Sequence, residues 1–535
     1  MKIVEYTAAL ASVAAIASAS SPSPQGWRGG ETKFPPFPKP WFPPKSWPQF
    51  PRLPHPFHPP RGPREKPLVK SEPLQASIKE DAIRKHAENL QAIAYATEGR
   101  NRVFGSAGHN FTAKYIYDLI KELDDYYTVE YQPFVELYSG GSAEFVVNGQ
   151  ERGARLMTYA PNGRAEAKIV VVNNFGCNRT DFPAEVTGSI ALISRGSCEF
   201  GLKAALAGAA GAAGAVIHNN INGTLSGTLG APERPEGKYP PTAAIPQDSG
   251  LAIRQSIAVG EVIGRLNVNS ILENRTTINV IAQTKGGDQN NVLMVGAHSD
   301  SVDAGPGIND DGSGTVGILE VALQLAKYKT NNAIRFGWWS AEEFGLLGSE
   351  FYVNTTAPAE LDKIRLYLNF DMIASPNYIY GIYDGDGSAF NTSGPPGSAQ
   401  AEKLFEDFYA QKGLRSQPTE FSGRSDYGPF LAVGIAAGGL FTGAENIKTA
   451  QEAEWYGGEA GVAYDKNYHA VGDTVDNLNM TAFLVNTKAI AHSIATYGRS
   501  FETLPAPTRK RFIKRDVAPA KKSGCHHKHV EHVEL

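Results

Sequence analysis

Five short segments of this chain carry side chains that bind divalent metal ions. They are Gly-Ala-His298-Ser-Asp300, Ile-Asn-Asp310-Asp311-Gly, Ser-Ala-Glu342-Glu343-Phe, Asn-Phe-Asp371-Met and Asn-Tyr-His469. Imidazole nitrogen and carboxylate oxygen are ligands that zinc accepts, and a catalytic site keeps one position open for water. Two such ions, roughly 3.5–4 Å apart, can share a bridging carboxylate and an activated water. The set is large enough to hold two metals and leave one glutamate free to move a proton. That is the chemistry of a metal-dependent hydrolase. Each segment alone is ordinary, since a lone histidine is more often structural and adjacent glutamates are more often a solvated pair. The weight lies in the order: His298, then Asp310 in a glycine-rich turn, then Glu-Glu, then Asp371, then a late Tyr-His.

Three of these segments follow apolar runs of strand length, at residues 292–295, 334–339 and 364–370, separated by helical stretches such as 315–328. The alternation predicts an α/β fold, a mainly parallel sheet with helices on both faces. Functional residues of open α/β sheets gather at the carboxyl ends of the strands, which is where these ligands fall. Upstream, Ser77-Ile-Lys-Glu80 matches a capping box. Ile83, Ala87, Leu90 and Ala94 then recur on one helical face. A second helix is expected over 111–123 and a strand over 127–134. Composition shifts near Tyr138. Up to about Val268 the chain reads as short strands (167–172, 189–194 and 243–245) around a Gly/Ala-rich helix at 201–216 ending in Val216-Ile-His-Asn-Asn220. Its glycines lower helix propensity, so packing must hold it.

The composition, with 41% hydrophobic and 20% charged residues, is that of a globular protein with a full core. A net charge of −4 gives no basis for a nucleic-acid partner. Met1-Lys2, an apolar run over 6–19 and Ala17-Ser18-Ala19 read as a secretory signal. No later segment is apolar for the roughly 18 residues a membrane helix needs. Seven N-x-S/T sequons, at Asn110, Asn178, Asn222, Asn274, Asn354, Asn391 and Asn479, agree with that route. The expected location is outside the cell, with a vacuole lumen as the alternative. Of three cysteines, Cys177 and Cys198 are close enough to pair in an oxidising compartment, leaving Cys525 over. Twelve prolines between Pro35 and Pro60, interleaved with aromatics, favour an extended segment without a packed core. After Phe501 the chain turns basic and polar. Arg509-Lys-Arg511 and Lys514-Arg515 read as processing sites, and the four tail histidines from His526 to His532 as a solvated tail.

Residues 292–314, with Trp338–Ser349, Asn369-Phe-Asp-Met372, Gly423-Arg-Ser-Asp-Tyr-Gly428 and Tyr468-His-Ala-Val-Gly-Asp-Thr474, resemble the signature of the co-catalytic zinc aminopeptidases. The likeness is to their fungal secreted leucine-specific and vacuolar members, and it spans about residues 75–500. The segment from Arg195 to Asn220 resembles the protease-associated domain, a β-rich module inserted in many secreted peptidases. The resemblance implies a three-layer αβα zinc exopeptidase domain with a mainly parallel mixed sheet and that inserted domain. The division expected is a signal peptide at 1–19, a proline-rich arm or propeptide at 20–72, and peptidase segments at 73–137 and 269–503. The protease-associated domain would span 138–268 and a basic tail 504–535.

By the same resemblance the chain holds two Zn2+. His298 and Asp371 would bind one, Glu343 and His469 the other, and Asp310 would bridge them. Asp300 would orient the His298 ring. Glu342 would be the general base acting on a metal-bridging water, and Tyr468 would donate to the developing oxyanion. The implied substrates are peptides with a free N-terminus and an apolar, Leu-like first residue, acted on by a monomer. Arg424 and Ser425 would border the amine site, and Met372 and Phe441 would line a side-chain pocket. Two other readings stand beside this one. One is a zinc carboxypeptidase of the same superfamily, against which the short stretch after His469 counts. The other is a metal-free binding relative, against which the intact ligands and Glu342 count.

Overall fold

The computed structural model describes residues 65–506 apart from 222, 224 and 226. The signal expected at 1–19, the arm up to residue 64, the Asn222 sequon and the tail from 507 with Cys525 lie outside the described residues.

Two antiparallel strands, Tyr127–Val147 and Ile263–Thr284, form the spine of the molecule. They pair without a break from Tyr127 opposite Thr284 to Val147 opposite Gly264. The expected strand at 127–134 is therefore only the first part of a longer one, because each spine strand supplies the other's backbone partners throughout. Residues 138 and 268 both lie inside this ribbon.

At its Thr284 end the spine joins the larger lobe. Ile263–Thr284 pairs antiparallel with Asn332–Trp339. That strand is followed across the sheet by Asp288–His298, Ile364–Phe370 and Ala437–Phe441, all parallel to one another. Gly381–Tyr383 adds an antiparallel edge neighbour, so the sheet is mixed. Both faces are covered, and the alternation of side chains shows it. Leu293, Val295, Phe336, Trp338, Leu366 and Leu368 pack in one cluster with helices Glu80–Tyr95, Gly312–Leu325 and Met480–Arg499. Met294, Trp339 and Tyr367 point the other way, into a cluster with helices Leu347–Thr355 and Tyr427–Ala432. Helix, sheet and helix make the three layers.

At its Gly264 end the spine carries the inserted lobe. Gly163–Val171 pairs with Ile263–Thr284, and Ile190–Ser194, Gly214–His218 and Thr242–Ile245 follow in parallel. The helix expected over 201–216 is two elements. Helix Phe200–Ala209 stops at a turn in which Gly211 has φ +78°, and Val216 to His218 are strand. A Cβ on Gly208 would lie 1.8 Å from the Lys238 carbonyl oxygen, so this helix needs its small residues to seat against the neighbouring loop.

Two local expectations fail at the amino end. The N-cap of Glu80–Tyr95 is Lys79, with no side-chain cap, while the Ser77 hydroxyl donates to the Leu74 carbonyl at the end of helix Ser71–Ser77. A nearer acceptor claims the serine before the next helix starts. The last residues of the proline-rich stretch also pack. Val69 is fully buried, and Val69 and Lys329 exchange backbone hydrogen bonds with the opposing segments.

Candidate metal centre

The three ligand-bearing strands are neighbours in the sheet and point the same way. His298 ends Asp288–His298, Glu342 and Glu343 follow Asn332–Trp339, and Asp371 follows Ile364–Phe370. Asp310 sits in the turn before helix Gly312–Leu325, and Tyr468 and His469 in the loop before Met480–Arg499. All five predicted ligands converge. His298 Nε2 lies 3.2 Å from Asp310 Oδ1 and 3.7 Å from Asp371 Oδ1. His469 Nε2 lies 3.1 Å from Asp310 Oδ2 and 2.9 Å from Glu343 Oε2. The result is two groups of three, His298–Asp310–Asp371 and Asp310–Glu343–His469, sharing Asp310.

The donor atoms fit a cation. His298 Nε2, Asp310 Oδ2, Glu343 Oε1 and Asp371 Oδ1 are buried and accept or donate no hydrogen bond. Buried polar groups are otherwise nearly always paired, so a cluster of orphans from two chemical classes marks a place for a metal. The charges agree. Burial, with Asp371, Asp426 and Glu343 nearby, pushes the Glu342 carboxyl well above its usual range. Burial and Asp310 raise Glu343. Burial opposes the His298 imidazolium, yet Glu342, Asp300, Asp310 and Asp371 hold its protonation well above the ordinary range. His469, also opposed by burial, is carried to about 11 by Glu343 and Asp310. So many buried carboxylates need positive charge between them, which divalent ions supply in place of protons.

A second layer fixes the first. Asp300 Oδ1 lies 3.5 Å from His298 Nδ1 and accepts the Glu342 backbone N–H at 3.1 Å, so one carboxylate steadies ligand and glutamate together. The Ser425 hydroxyl donates to Asp371 Oδ2 at 2.5 Å and leaves Oδ1 free. Tyr468 stacks on the His469 ring at 3.8 Å, and its hydroxyl accepts from Arg424 Nη2 at 3.0 Å. Glu445 holds Arg424 from the other side at 2.8 Å. Met372 is buried beside Asp371, with its N–H donated to Asp311. Phe441 ends the strand next to Ile364–Phe370 and packs partly against the Tyr383 and Tyr427 cluster.

Several supporting residues were not anticipated from the sequence. Asp473 accepts the N–H groups of Asn309 and Asp310, at 2.7 and 3.0 Å, and so sets the turn that presents Asp310. Asp311 caps helix Gly312–Leu325 and also accepts from His298 N. Buried Arg102 donates to the carbonyls of Pro306, Ser299 and Gly307, tying both ligand loops to a distant segment. Asp473 stands inside the Tyr468–Thr474 motif and was open to notice. Arg102 has no sequence signal at all.

Another acidic group, Asp384, Asp386 and Glu402, lies apart. Its oxygens already accept backbone N–H groups of Gly385, Asp386, Gly387, Ser388, Ala389 and Phe390, so it is a loop closure. Cys177 and Cys198 are bonded in the inserted lobe, with their Cα atoms 5.9 Å apart. Of the described sequons, Asn178, Asn274, Asn354 and Asn391 are exposed and Asn110 and Asn479 half-buried.

Comparison with known proteins shows the family and the fold. Residues 279–524 match the model of peptidase family M28, and residues 165–253 match that of the PA domain. Leucine aminopeptidase 2 of Arthroderma otae is 52% identical over 470 residues, 87% of this chain and 94% of that one. Leucine aminopeptidase 2 of Trichophyton rubrum is 52% identical over 467 residues, 86% of this chain and 93% of that one. Among solved structures, an aminopeptidase from Aneurinibacillus sp. strain AM-1 superposes with a TM-score of 0.64 at 26% identity, covering 82% of this chain and 98% of the other. A zinc aminopeptidase from Bacillus subtilis shares the fold with a TM-score of 0.58 at 24% identity, covering 80% and 95%.

Proposed function

The chain belongs to peptidase family M28 and carries an inserted PA domain, and on that premise we propose a dizinc aminopeptidase that removes apolar, Leu-like residues from peptide N-termini. The observation that carries the reading is the pair of His–carboxylate groups joined through Asp310, with atoms of His298, Asp310, Glu343 and Asp371 orphaned.

His298 and Asp371 would hold one ion, Glu343 and His469 the other, and Asp310 both. When bound, the pair supplies Lewis acidity at the scissile carbonyl and makes water a competent nucleophile at neutral pH. Glu342 takes the proton of the attacking water and delivers it to the leaving amine as the C–N bond breaks. Its backbone N–H is pinned to Asp300, and its carboxylate lies 3.8 Å from His298 Nε2, beside the centre. The Tyr468 hydroxyl accepts from Arg424, so its own hydrogen is free to donate to the developing oxyanion. The surrounding carboxylates receive the substrate's charged α-amine, which makes the enzyme an exopeptidase. The leader-like N-terminus, the disulfide and the exposed sequons support a secretory route, ending outside the cell or in a vacuole.

The test compares leucyl and N-acetyl-leucyl anilides on zinc-loaded protein whose metal content has been measured. Blocking the amine removes hydrogen bonds to charged groups worth roughly 1.5–3 kcal/mol each, so one to two decades of rate should be lost. Comparable cleavage of both substrates would refute the exopeptidase reading, and fewer than two ions per chain would refute the dizinc one.

A further inference from the structure

Among the described sequons, the one at Asn479 borders a cavity. Asn479 and Thr481, the two ends of Asn479-Met480-Thr481, both line a cavity of about 250 Å³ whose other walls include Pro376, Tyr378, Lys448 and Tyr456. The asparagine is already oriented. Its Oδ1 accepts from Ala482 N at 3.1 Å as the cap of helix Met480–Arg499. Its Nδ2 reaches the Pro376 carbonyl, on the cavity wall, at 3.4 Å. That single long contact leaves the second amide hydrogen without a protein acceptor. N-glycosylation replaces one hydrogen on Nδ2 and leaves Oδ1 untouched, so the helix cap survives it.

The walls have the chemistry of a sugar site. Lys448 is 1% exposed, and its Nζ donates to the Gly457 carbonyl at 2.7 Å. The same ammonium lies 5.6 and 5.9 Å from the ring centroids of Tyr378 and Tyr456. An ammonium has three donors, so two remain for acceptors in the cavity. Aromatic rings and ammonium hydrogens match what an N-acetylated hexose presents: C–H faces, hydroxyls and an amide carbonyl. The volume falls below the ~300–1,000 Å³ of clefts for drug-sized ligands, which suits one monosaccharide rather than a peptide.

We propose that this cavity is the seat of the first N-acetylglucosamine of a glycan on Asn479. The sugar would bridge the start of helix Met480–Arg499 to the Lys448–Gly458 segment. Attachment exchanges an Nδ2–H bond for an Nδ2–C1 bond. The oligosaccharide leaves its diphosphate-linked carrier, and the proton leaves with that carrier. The inference rests on the secretory route proposed above.

The test uses the full chain expressed in a eukaryotic secretory host, with site-resolved glycopeptide mass spectrometry and digestion by an amidase that cleaves Asn-linked glycans. Asn479 should be occupied. Its glycan should be released from native protein ~10-fold or more slowly than that on exposed Asn354, because the seat must open first. After denaturation the two rates should be equal. Thr481→Ala, which removes the sugar and spares the Asn479 cap, should speed hydrogen exchange in residues 376–380 and 448–458, while Thr356→Ala, which removes the Asn354 sequon, should not. Equal native release, or an empty Asn479 beside an occupied Asn354, would overturn the seat alone. Empty sites throughout would overturn the secretory route as well.

Discussion

The two lobes at opposite ends of the spine are built alike and equipped differently. Each has parallel strands with helices packed on them, and each brings strand carboxyl ends together. In the larger lobe those ends carry His298, Glu342–Glu343 and Asp371, and His298 Nε2, Glu343 Oε1 and Asp371 Oδ1 are left unpaired. In the inserted lobe they carry Arg195 and His218–Asn219. There Arg195 Nη1 donates to Asn219 Oδ1 at 3.0 Å, and the adjacent His218 Nδ1 is 2.8 Å from the Asn219 carbonyl. Its unpaired buried side-chain atoms, Arg152 Nε and His218 Nε2, join no candidate ligand group among the described residues. The same architecture gathers a candidate metal centre in one place and none in the other among the described residues. The choice of residues at the strand ends makes the difference, and the sheet itself does not.

The comparison breaks most easily at the metals. A strong chelator should abolish hydrolysis by the larger lobe and zinc should restore it, while the inserted lobe, followed by hydrogen exchange of its peptides in the intact protein, should not respond. Full activity in metal-free protein would end the distinction between the lobes. Glu342→Gln comes next. It keeps the side chain's size and removes the proton acceptor, so kcat should fall by the ~10²–10⁴-fold typical of acid–base groups, with both metals retained by elemental analysis. Loss of metal instead would make Glu342 a ligand and exchange the roles of the two glutamates.

In the inserted lobe the corresponding lesion should cost stability and spare chemistry. Replacing both Cys177 and Cys198 by Ser opens a loop with a sequence separation of 21. The expected destabilisation is roughly 3 kcal/mol in the chain-entropy account, read as a lower denaturation midpoint with kcat per folded molecule unchanged. An equal fall in kcat would mean that the insert helps to form the active site.

The smallest effect sharpens the comparison through pH. Burial lowers His109, in the larger lobe, from 6.5 to about 4. The folded-state value lies below the unfolded one, so its contribution is complete above pH 6.5 and drains away as pH falls toward 4. At pH 5 the loss is about 2 kcal/mol. His109→Gln, which can still reach Ser299 and Thr277, should flatten that part of the stability profile. Denaturant titrations at pH 7 and pH 5 measure it, and an unchanged slope would show that His109 titrates normally.

How much of this was legible depends on the range of the cause. The candidate ligands could be read because metal chemistry restricts residue types, and the apolar runs before His298, Glu342–Glu343 and Asp371 placed those three at strand ends. The Cys177–Cys198 pair could be read because the two are near in sequence. The 201–216 segment misled because small residues suit a helix and a buried strand equally, and only the turn at Gly211 separates them. The Ser77–Glu80 box misled because a local motif cannot report that Leu74 offers a nearer acceptor. Arg102 was invisible, since a single arginine in a loop says nothing until three carbonyls close around it.

By itself, then, the sequence determined the chemistry available: which side chains can hold divalent ions, and that strands precede three of the five segments that carry them. The tertiary structure decided the geometry. It made Asp310 common to two histidines, used Asp473 to hold the turn and Ser425 to free one oxygen of Asp371, and left the ligand atoms unpaired. The reason is physical. Residue type fixes what an atom can bind, but whether it is left unpaired depends on every neighbour that folding brings within hydrogen-bonding distance, and those neighbours come from segments as far apart as Arg102 and Asp473.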